Sequence, residues 1–161
     1  MKTQKVSWSI MLHNIRSVQN VASIFRLAEC FGVERIYLSG ITPGPLDRFG
    51  RPREDFEKVS LGTEKIVLWE RIEDVNRLVE SYKKDGVVIA LEQSPNSVDY
   101  KKVVIEEGKK YLLIPGREVD GLEQVILRMA DIVAEIPQYG QKESLNIFSA
   151  TSIVVARFFD K

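Results

Sequence analysis

A polar segment near residue 115 has the residue types that a ligand-binding turn needs. The apolar residues 111–114 are followed by Pro115-Gly116-Arg117-Glu118-Val119-Asp120-Gly121-Leu122. Gly116 and Gly121 allow backbone to approach a ligand closely, and Glu118 places a carboxylate between them. Asp120 with Glu123 also has the spacing of a capping box for the next helix. On this segment alone, a capped turn is the simpler interpretation and a ligand site the alternative.

A second polar segment, residues 137–146, leads into an unusual helix. From Ser144 to Ala156 no Asp, Glu, Lys or Arg occurs, and apolar residues fall on nearly every face of the predicted helix 145–159. A helix of this kind must be buried all round, so we expect part of it to pack on a second subunit. Ser144 or Asn146 is a candidate N-cap, which accounts for only one of the two polar residues.

The elements that must position these segments alternate between strand and helix. Apolar patterns predict strands at 6–12, 33–38, 66–69, 87–91, 111–114 and 132–136, and helices at 18–31, 73–84, 122–128 and 145–159. Ser17 is the expected N-cap of the first helix, and residues 40–57 predict a long loop without an element of its own. The pattern indicates one α/β domain around a parallel sheet, with ligands beyond the carboxyl ends of the strands.

Charge and rare residues exclude several classes of protein. The 161 residues carry 23 basic and 23 acidic side chains, so bulk charge does not favour binding to a polyanion. The excess is +3 in residues 1–60 and −3 in residues 61–100. One cysteine, Cys30, and one histidine, His13, exclude an intramolecular disulfide and a Cys/His metal cluster, and we interpret both as structural.

Several familiar motifs are missing from the sequence. It contains no G-x-G-x-x-G, no G-x-x-x-x-G-K-[ST] and no G-x-S-x-G, which argues against dinucleotide binding, a phosphate loop and a hydrolase nucleophile elbow. No apolar segment follows the N-terminal lysines, and no stretch is apolar enough to span a bilayer. We therefore expect a cytoplasmic protein without a membrane partner.

Three segments, in order along the chain, resemble the motifs of the SpoU (TrmH-like) family of S-adenosylmethionine-dependent RNA ribose 2′-O-methyltransferases, of the SPOUT class. The first is residues 14–26, with Asn20 and Arg26 at the Asn and Arg of the motif. The second is residues 114–122, with Glu118 at the acidic position, and the third runs from 136 to 150. Residues 58–63 are similar to a further family segment. The resemblance covers residues 13–156 and departs at Arg117, where the family most often has Asn.

The resemblance implies a fold, a cofactor and an oligomeric state. The fold is a parallel-sheet α/β knot, with a SPOUT-type trefoil knot in the C-terminal part of a single methyltransferase domain, residues 1–161, and no separate RNA-binding domain. The chain is expected to form a homodimer. The cofactor is S-adenosylmethionine, released as S-adenosylhomocysteine, without a metal. Its adenine and ribose are expected to lie against backbone around five residues: Leu91, Ile114, Gly116, Ile136 and Leu145.

The same resemblance implies roles for polar residues. Arg26 is the family's candidate for the step at the ribose 2′-hydroxyl. Because arginine stays protonated, we expect it to bind the neighbouring phosphate and the 2′-oxygen and so stabilise the developing negative charge. Without the motif, Arg26 would be an exposed helix arginine paired with Glu29. The other expected catalytic residues, which orient Arg26, the nucleotide or a partner-subunit group, are Asn20, Glu118, Ser144 and Asn146.

RNA, either tRNA or rRNA, is the implied partner. Arginines follow phosphates and aromatic rings stack on bases, so the loop with Phe49 and Phe56 is the best candidate for ordering RNA. A disordered surface loop is an equally supported interpretation. The expected RNA contacts are Arg16, Arg48, Arg51, Arg53, Lys58 and Ser60, and Arg16 has a solvated surface arginine as its alternative.

Two other functions stay open from the sequence. A catalytically silent RNA-binding dimer on the same fold is suggested by Arg117 and by the zero net charge. A flavodoxin-like nucleotide binder rests on the strand–helix alternation alone, and fold does not determine function.

Overall fold

Alternating apolar residues along the strands build a central parallel sheet with a core on each face. The computed structural model of the chain describes residues 6–159. Seven strands pair in parallel in the order β3-β2-β1-β6-β4-β7-β5. Their bounds are β1 Ser7–His13, β2 Arg35–Ser39, β3 Leu68–Ile72, β4 Gly86–Leu91, β5 Val98–Asp99, β6 Lys110–Pro115 and β7 Ile132–Glu135.

Five α-helices cover the two faces. They are α1 Val18–Phe31, α2 Glu54–Ser60, α3 Val75–Lys83, α4 Gln124–Met129 and α5 Ile147–Phe159. Residues 10 and 12 of β1 join the core under α1 and α5, while Met11 joins the core under α3 and α4. This alternation confirms the predicted α/β fold. The strand order also differs from the 2-1-3-4-5 order of flavodoxin-like sheets, which corrects that third interpretation.

The first helix begins as predicted from its cap. The Ser17 hydroxyl accepts a hydrogen bond from the backbone N–H of Asn20 at 3.1 Å. Gly32 ends the helix in the left-handed conformation, at φ 67°, where its N–H bonds the carbonyls of the last turn. α1 thereby holds a fixed face of Val21, Phe25 and Ala28 against the sheet and presents Asn20 near its first turn.

Two expectations about elements are wrong, and one short element was not predicted. Residues 40–57 do not form one long loop, because α2 begins at Glu54 and buries Phe56 against Phe25 at a ring distance of 5.1 Å. The two-residue strand β5 was not predicted, since two residues carry no periodicity. The second wrong expectation is the capping box: Glu123 occupies the N-cap position itself without a side-chain cap, because its carboxylate turns to other partners described below.

The last helix is only partly buried within one chain. Val154, Val155 and Phe158 face the core, whereas Ile153 is 38% exposed and Ala156 lies on the same open face. One chain therefore leaves part of α5 open, as expected of a helix that packs partly on a second subunit; that packing stays a prediction. Between residues 6 and 159, no helix is long and apolar enough to cross a membrane.

Candidate active site

A cleft opens where β4, β6 and β7 end side by side. The backbone N–H of Gly116 donates to the Leu91 carbonyl at 2.9 Å, and the N–H of Glu92 donates to the Ala134 carbonyl at 2.9 Å. These bonds hold the three strand ends together as the floor of the cleft. The space above it is about 550 Å³, including its open mouth, which is the size of a small-molecule site.

Glycine keeps the floor of this cleft open. A Cβ added at Gly116 would lie 2.3 Å from Glu92 Oε2 and 3.0 Å from the Leu91 carbonyl oxygen. A Cβ at Gly121, which has φ 67°, would lie 2.6 Å from the same carboxylate oxygen. Glu92 is fixed in turn, since Oε2 accepts the Leu122 N–H at 3.0 Å and Oε1 accepts the Gln93 N–H at 2.9 Å. A side chain at either position would therefore displace the Glu92 carboxylate, and it would also meet the Leu91 carbonyl at position 116 and a left-handed backbone at position 121.

The walls of the cleft combine an apolar slot with a few polar groups. The apolar residues come from the three strand ends and the start of α5: Leu91, Pro115, Ile136, Leu145, Ile147 and Ala150. The polar residues are Glu92, Gln93, Arg117, Glu135, Gln138 and Ser144. Four of the five expected cofactor residues thus line one cleft. The fifth, Ile114, is fully buried with its side chain in the core under α3 and α4, next to Pro115 of the wall.

A chain of hydrogen bonds joins one polar residue from each of the three motifs. The Asn20 side-chain amide donates to Glu118 Oε1 at 3.1 Å, and its oxygen accepts from the Asn146 side-chain amide at 3.1 Å. Asn146 Oδ1 accepts the backbone N–H of Phe148 at 2.8 Å, so Asn146 is the N-cap of α5. These hydrogen bonds hold in one geometry residues that lie 98 and 126 positions apart in the sequence.

Arg26 lies on α1, outside this series of hydrogen bonds. It follows Asn20 by six residues, about 9 Å along the helix axis, and its side chain is exposed. Within residues 6–159 it makes no hydrogen bond or ion pair, and none joins it to Glu29. The guanidinium is therefore free to bind a ligand. Arg16, also exposed, borders a small groove with Asn14, Ile41 and Glu118.

Arg117 and His13 take part in a second network under the loop after β6. Arg117 Nε donates to the Gly121 carbonyl at 2.7 Å, and its Nη1 lies 3.2 Å from Glu123 Oε1. The other carboxylate oxygen of Glu123 lies 3.1 Å from His13 Nε2. This network explains why Glu123 does not cap α4, and it gives Arg117 a fixed position between the cleft and the groove.

The residues expected to contact RNA divide into free, paired and buried groups. Arg48 and Lys58 are exposed, and within the described residues neither has a hydrogen bond or ion pair. Arg51 pairs with Asp47 and Arg53 with Asp55, at 2.9 and 2.7 Å. Ser60 is fully buried and donates its hydroxyl to Glu64, so the expectation that it contacts RNA is corrected.

Sequence reasoning missed the carboxylates of the cleft. Glu92 follows β4 directly and Glu135 ends β7, both at the strand ends where ligands were expected. Their position after a buried strand was the available signal. Among residues 6–159 no cluster of three His, Cys, Asp or Glu side chains is placed to hold a metal ion.

Comparisons with known proteins identify the family of the chain. The model of the SpoU rRNA methylase family matches residues 7–156. A tRNA (guanosine(18)-2′-O)-methyltransferase from Aquifex aeolicus is 26% identical over 147 residues, which is 91% of this chain and 65% of that protein. The AdoMet-bound rRNA methyltransferase from Sinorhizobium meliloti superposes with a TM-score of 0.82 at 26% identity, covering 94% of this chain and 55% of that one.

A further structure shows likeness of fold alone. The TrmH/SpoU tRNA-modifying enzyme of A. aeolicus has a TM-score of 0.78 at 23% identity and covers 98% of this chain and 75% of that one. The chain spans between about half and two thirds of the length of the first relatives it matches. With the motif residues joined around one cleft and the family model matching almost throughout, the chain belongs to the SpoU rRNA methylase family.

Proposed function

We propose that the protein is an S-adenosylmethionine-dependent RNA ribose 2′-O-methyltransferase acting on tRNA or rRNA. The observation that carries this proposal is the hydrogen-bonded chain Glu118–Asn20–Asn146 beside the glycine-floored cleft. The relatives named above, a tRNA 2′-O-methyltransferase and an rRNA methyltransferase, support the same reaction class.

The cleft fits the proposed cofactor. Leu91, Ile136 and Leu145 form an apolar slot suited to an adenine ring, and the backbone at Gly116, which also lines the cleft, lies beside it. The Glu135 carboxylate, which has no hydrogen bond or ion pair within residues 6–159, is available to ribose hydroxyls. S-adenosylmethionine would supply an electrophilic methyl group here.

The acceptor side depends on the free arginine. The ribose 2′-hydroxyl would lose its proton to water as its oxygen attacks the methyl carbon, so negative charge develops on the oxygen before the new bond is complete. The bond between the methyl carbon and sulfur would break, and S-adenosylhomocysteine would leave. Arg26 stays protonated, so it would stabilise that charge and hold the adjacent phosphate rather than accept the proton. Asn20, fixed by Glu118 and Asn146, would keep this part of α1 in register with the cleft.

Transfer of a labelled methyl group tests the function. Purified protein with labelled S-adenosylmethionine should label cellular tRNA or rRNA at a ribose 2′-oxygen, and Arg26→Ala should abolish transfer while calorimetric binding of S-adenosylhomocysteine is retained. Arg77→Ala, at an exposed arginine of α3 on the other face of the sheet, is the matched control. RNA binding by the wild-type chain without any transfer would instead support the silent RNA-binding dimer.

A homodimer is part of the proposal. Ile153 at 38% exposure and the exposed Ala156, one helical turn apart, leave an uncharged apolar face on α5. Such a face on a water-soluble chain is typical of a subunit interface. Light scattering coupled to size exclusion should give twice the monomer mass, and a monomer at micromolar concentration would contradict it.

We also propose the trefoil knot implied by the motifs. The chain leaves β7 beside β4 and, by Asn146, has returned to Asn20 on α1, lining the cleft opposite the loop after β6 on the way. This return path supports a threaded C-terminal segment. The cytoplasmic location stays a prediction.

A further inference from the structure

A broad basin lies beside the cleft, on the loop between β2 and α2. It encloses about 1120 Å³, including open solvent, and its lining includes four arginines and one exposed ring: Arg48, Arg51, Arg53, Arg71 and Phe49. Because the loop leaves the carboxyl end of a parallel strand, the basin opens at the same edge of the sheet as the cleft.

The loop that carries Phe49 is a tightly bonded turn. Asp47 Oδ1 accepts the backbone N–H groups of Phe49 and Arg51 at 2.8 and 3.0 Å, and the Asp47 N–H donates to the Arg51 carbonyl at 2.8 Å. Leu46 and Pro52 pair as an antiparallel bridge at the base of the turn. Arg71 fixes the preceding segment by donating to the carbonyls of Gly40 and Thr42. The ring is thus held at the tip of a preorganised loop.

The Phe49 side chain is largely exposed to solvent. Its exposed fraction is 64%, and the guanidinium carbons of Arg48 and Arg51 lie 4.7 and 5.0 Å from the ring centroid. An exposed ring flanked by guanidinium groups offers a flat surface for a nucleic acid base and donors for its phosphate.

Two of the four arginines of the basin are paired with carboxylates, and a third keeps its charge while bound to backbone carbonyls. Arg51 pairs with Asp47, Arg53 pairs with Asp55, and Arg71 is bound to backbone carbonyls. Within residues 6–159, Arg48 alone of the four arginines has neither a hydrogen bond nor an ion pair. One guanidinium without a carboxylate partner, beside a ring that is largely exposed, suits a single nucleotide rather than the many phosphates of a duplex.

A small groove lies between the cleft and the basin and shares one lining residue with each. Arg117 lines both the cleft and the small groove at Arg16 and Glu118, and Ile41 lines both that groove and the basin. A strand whose ribose enters the cleft therefore has a surface path over Arg16 to Phe49.

We propose that the basin binds an unpaired nucleotide of the substrate RNA, with its base stacked on Phe49 and its phosphate at Arg48. This inference rests on the proposed function and narrows it: the substrate has an unpaired segment next to the methylated ribose. A base inside a duplex is stacked on both faces, so it has no free face for the ring.

Fluorescence anisotropy with a labelled oligoadenylate of about 12 nucleotides tests the basin. Phe49→Ala should weaken binding about fivefold or more, Phe49→Trp should retain it, and Arg48→Ala should weaken binding and lower the salt dependence. Ile66→Ala is the matched control for Phe49→Ala, since Ile66 is an apolar side chain that is 67% exposed outside the basin. Lys101→Ala is the matched control for Arg48→Ala, since Lys101 is a cation near a ring outside the basin, with Nζ 5.8 Å from the Tyr100 ring centroid. The same oligonucleotide paired with oligouridylate should bind more weakly than the single strand.

The outcomes separate this inference from the proposed function. The stacking site would be overturned, even if the wild-type protein transfers methyl groups, by either of two results. One is equal affinity of Phe49→Ala and wild type for the oligonucleotide. The other is displacement of the labelled oligonucleotide by polyglutamate as effectively as by the unlabelled oligonucleotide. If Phe49→Ala loses single-strand binding while the wild-type protein binds RNA but transfers no methyl group, the stacking site is upheld and the proposed reaction is rejected. Circular dichroism of each variant should match wild type, which separates lost binding from lost folding.

Discussion

The contact between Gly116 and Glu92 can be tested by a double-mutant cycle. In Gly116→Ala the new Cβ would lie 2.3 Å from Glu92 Oε2, whereas ordinary contacts begin at 3.4 Å, so the carboxylate must move by about 1 Å. That movement breaks its hydrogen bond with the Leu122 N–H at 3.0 Å, a bond to a charged group worth about 1.5–3 kcal/mol. The Leu91 carbonyl at 3.0 Å adds overpacking of about 1 kcal/mol, because this backbone lies at the end of a central strand.

The expected free energies of unfolding follow from this geometry. Gly116→Ala should destabilise by about 2–4 kcal/mol. Glu92→Ala should destabilise by about 1.5–3 kcal/mol, since it removes the acceptor for the N–H groups of Leu122 and Gln93. Because both variants lose the same hydrogen bonds, the double variant should fall short of the sum by about 1.5 kcal/mol or more.

Urea unfolding at one fixed protein concentration measures the cycle. Gly140→Ala combined with Glu92→Ala is the control, because a Cβ at Gly140 meets nothing within 4 Å and the two effects should add within about 0.5 kcal/mol. If Gly116→Ala and Glu92→Ala add equally well, the glycine is not required by the carboxylate and the reasoning is refuted. Binding of S-adenosylhomocysteine should weaken in Gly116→Ala and stay unchanged in Gly140→Ala.

Four further predictions concern the elements around the cleft and the basin. Asn146→Ala should lower stability by about 1 kcal/mol through loss of the α5 cap while Asn146→Ser retains it; equal melting curves would argue against the cap. Thr42→Val should destabilise by about 1–3 kcal/mol, because the buried Thr42 hydroxyl accepts the Ile15 N–H at 3.1 Å and donates to the Leu12 carbonyl, and Thr42→Ser should be much milder. Hydrogen bonds from the backbone N–H of Arg51, then from that of Phe49 and from the Arg51 guanidinium, lower the pKa of Asp47 below its ordinary value of 3.8. The stabilisation of the turn by the Asp47 carboxylate is therefore fully present above pH 3.8 and is lost only as the pH falls through the lower pKa of the folded state. A titration midpoint at or above 3.8, measured by NMR of the carboxyl carbon, would contradict this. The affinity for single-stranded RNA should fall with a log–log salt slope of about −3 per protomer, since four of the proposed contacts, Arg16, Arg26, Arg48 and Lys58, are unpaired within residues 6–159, and a slope twice as steep would contradict it.

The parts of the fold that depend on periodicity could be predicted from the sequence. β1, β4 and β6 alternate between the two cores with period two, so their existence and parallel arrangement follow from their apolar residues. The helix at Glu54 and the strand at Val98 could not be predicted in this way. Seven and two residues carry too little pattern, and their stability comes from contacts such as Phe56 on Phe25.

The residues of the candidate site could be predicted from the sequence, but the hydrogen bonds that join them could not. Asn20, Glu118 and Asn146 stand in recognisable motifs, but their hydrogen bonds join positions about a hundred residues apart. Local rules failed where such long-range contacts prevailed. Glu123 has the spacing of a capping residue, yet its carboxylate bonds Arg117 and faces His13, because these groups reach it from β1 and from the loop after β6.

The zero net charge of the chain is compatible with an RNA partner once the charges are placed. Asp47 in the loop and Asp55 in the first turn of α2 neutralise Arg51 and Arg53, so these acidic residues fix the arginines of the basin rather than repel a polyanion. Among the proposed RNA contacts within residues 6–159, the guanidinium groups without a carboxylate partner are those of Arg16, Arg26 and Arg48. A surface of this kind gains little from counterion release and must obtain affinity from shape and stacking. Selection among RNAs would then depend on whether an unpaired base can reach Phe49 while its neighbouring ribose enters the cleft.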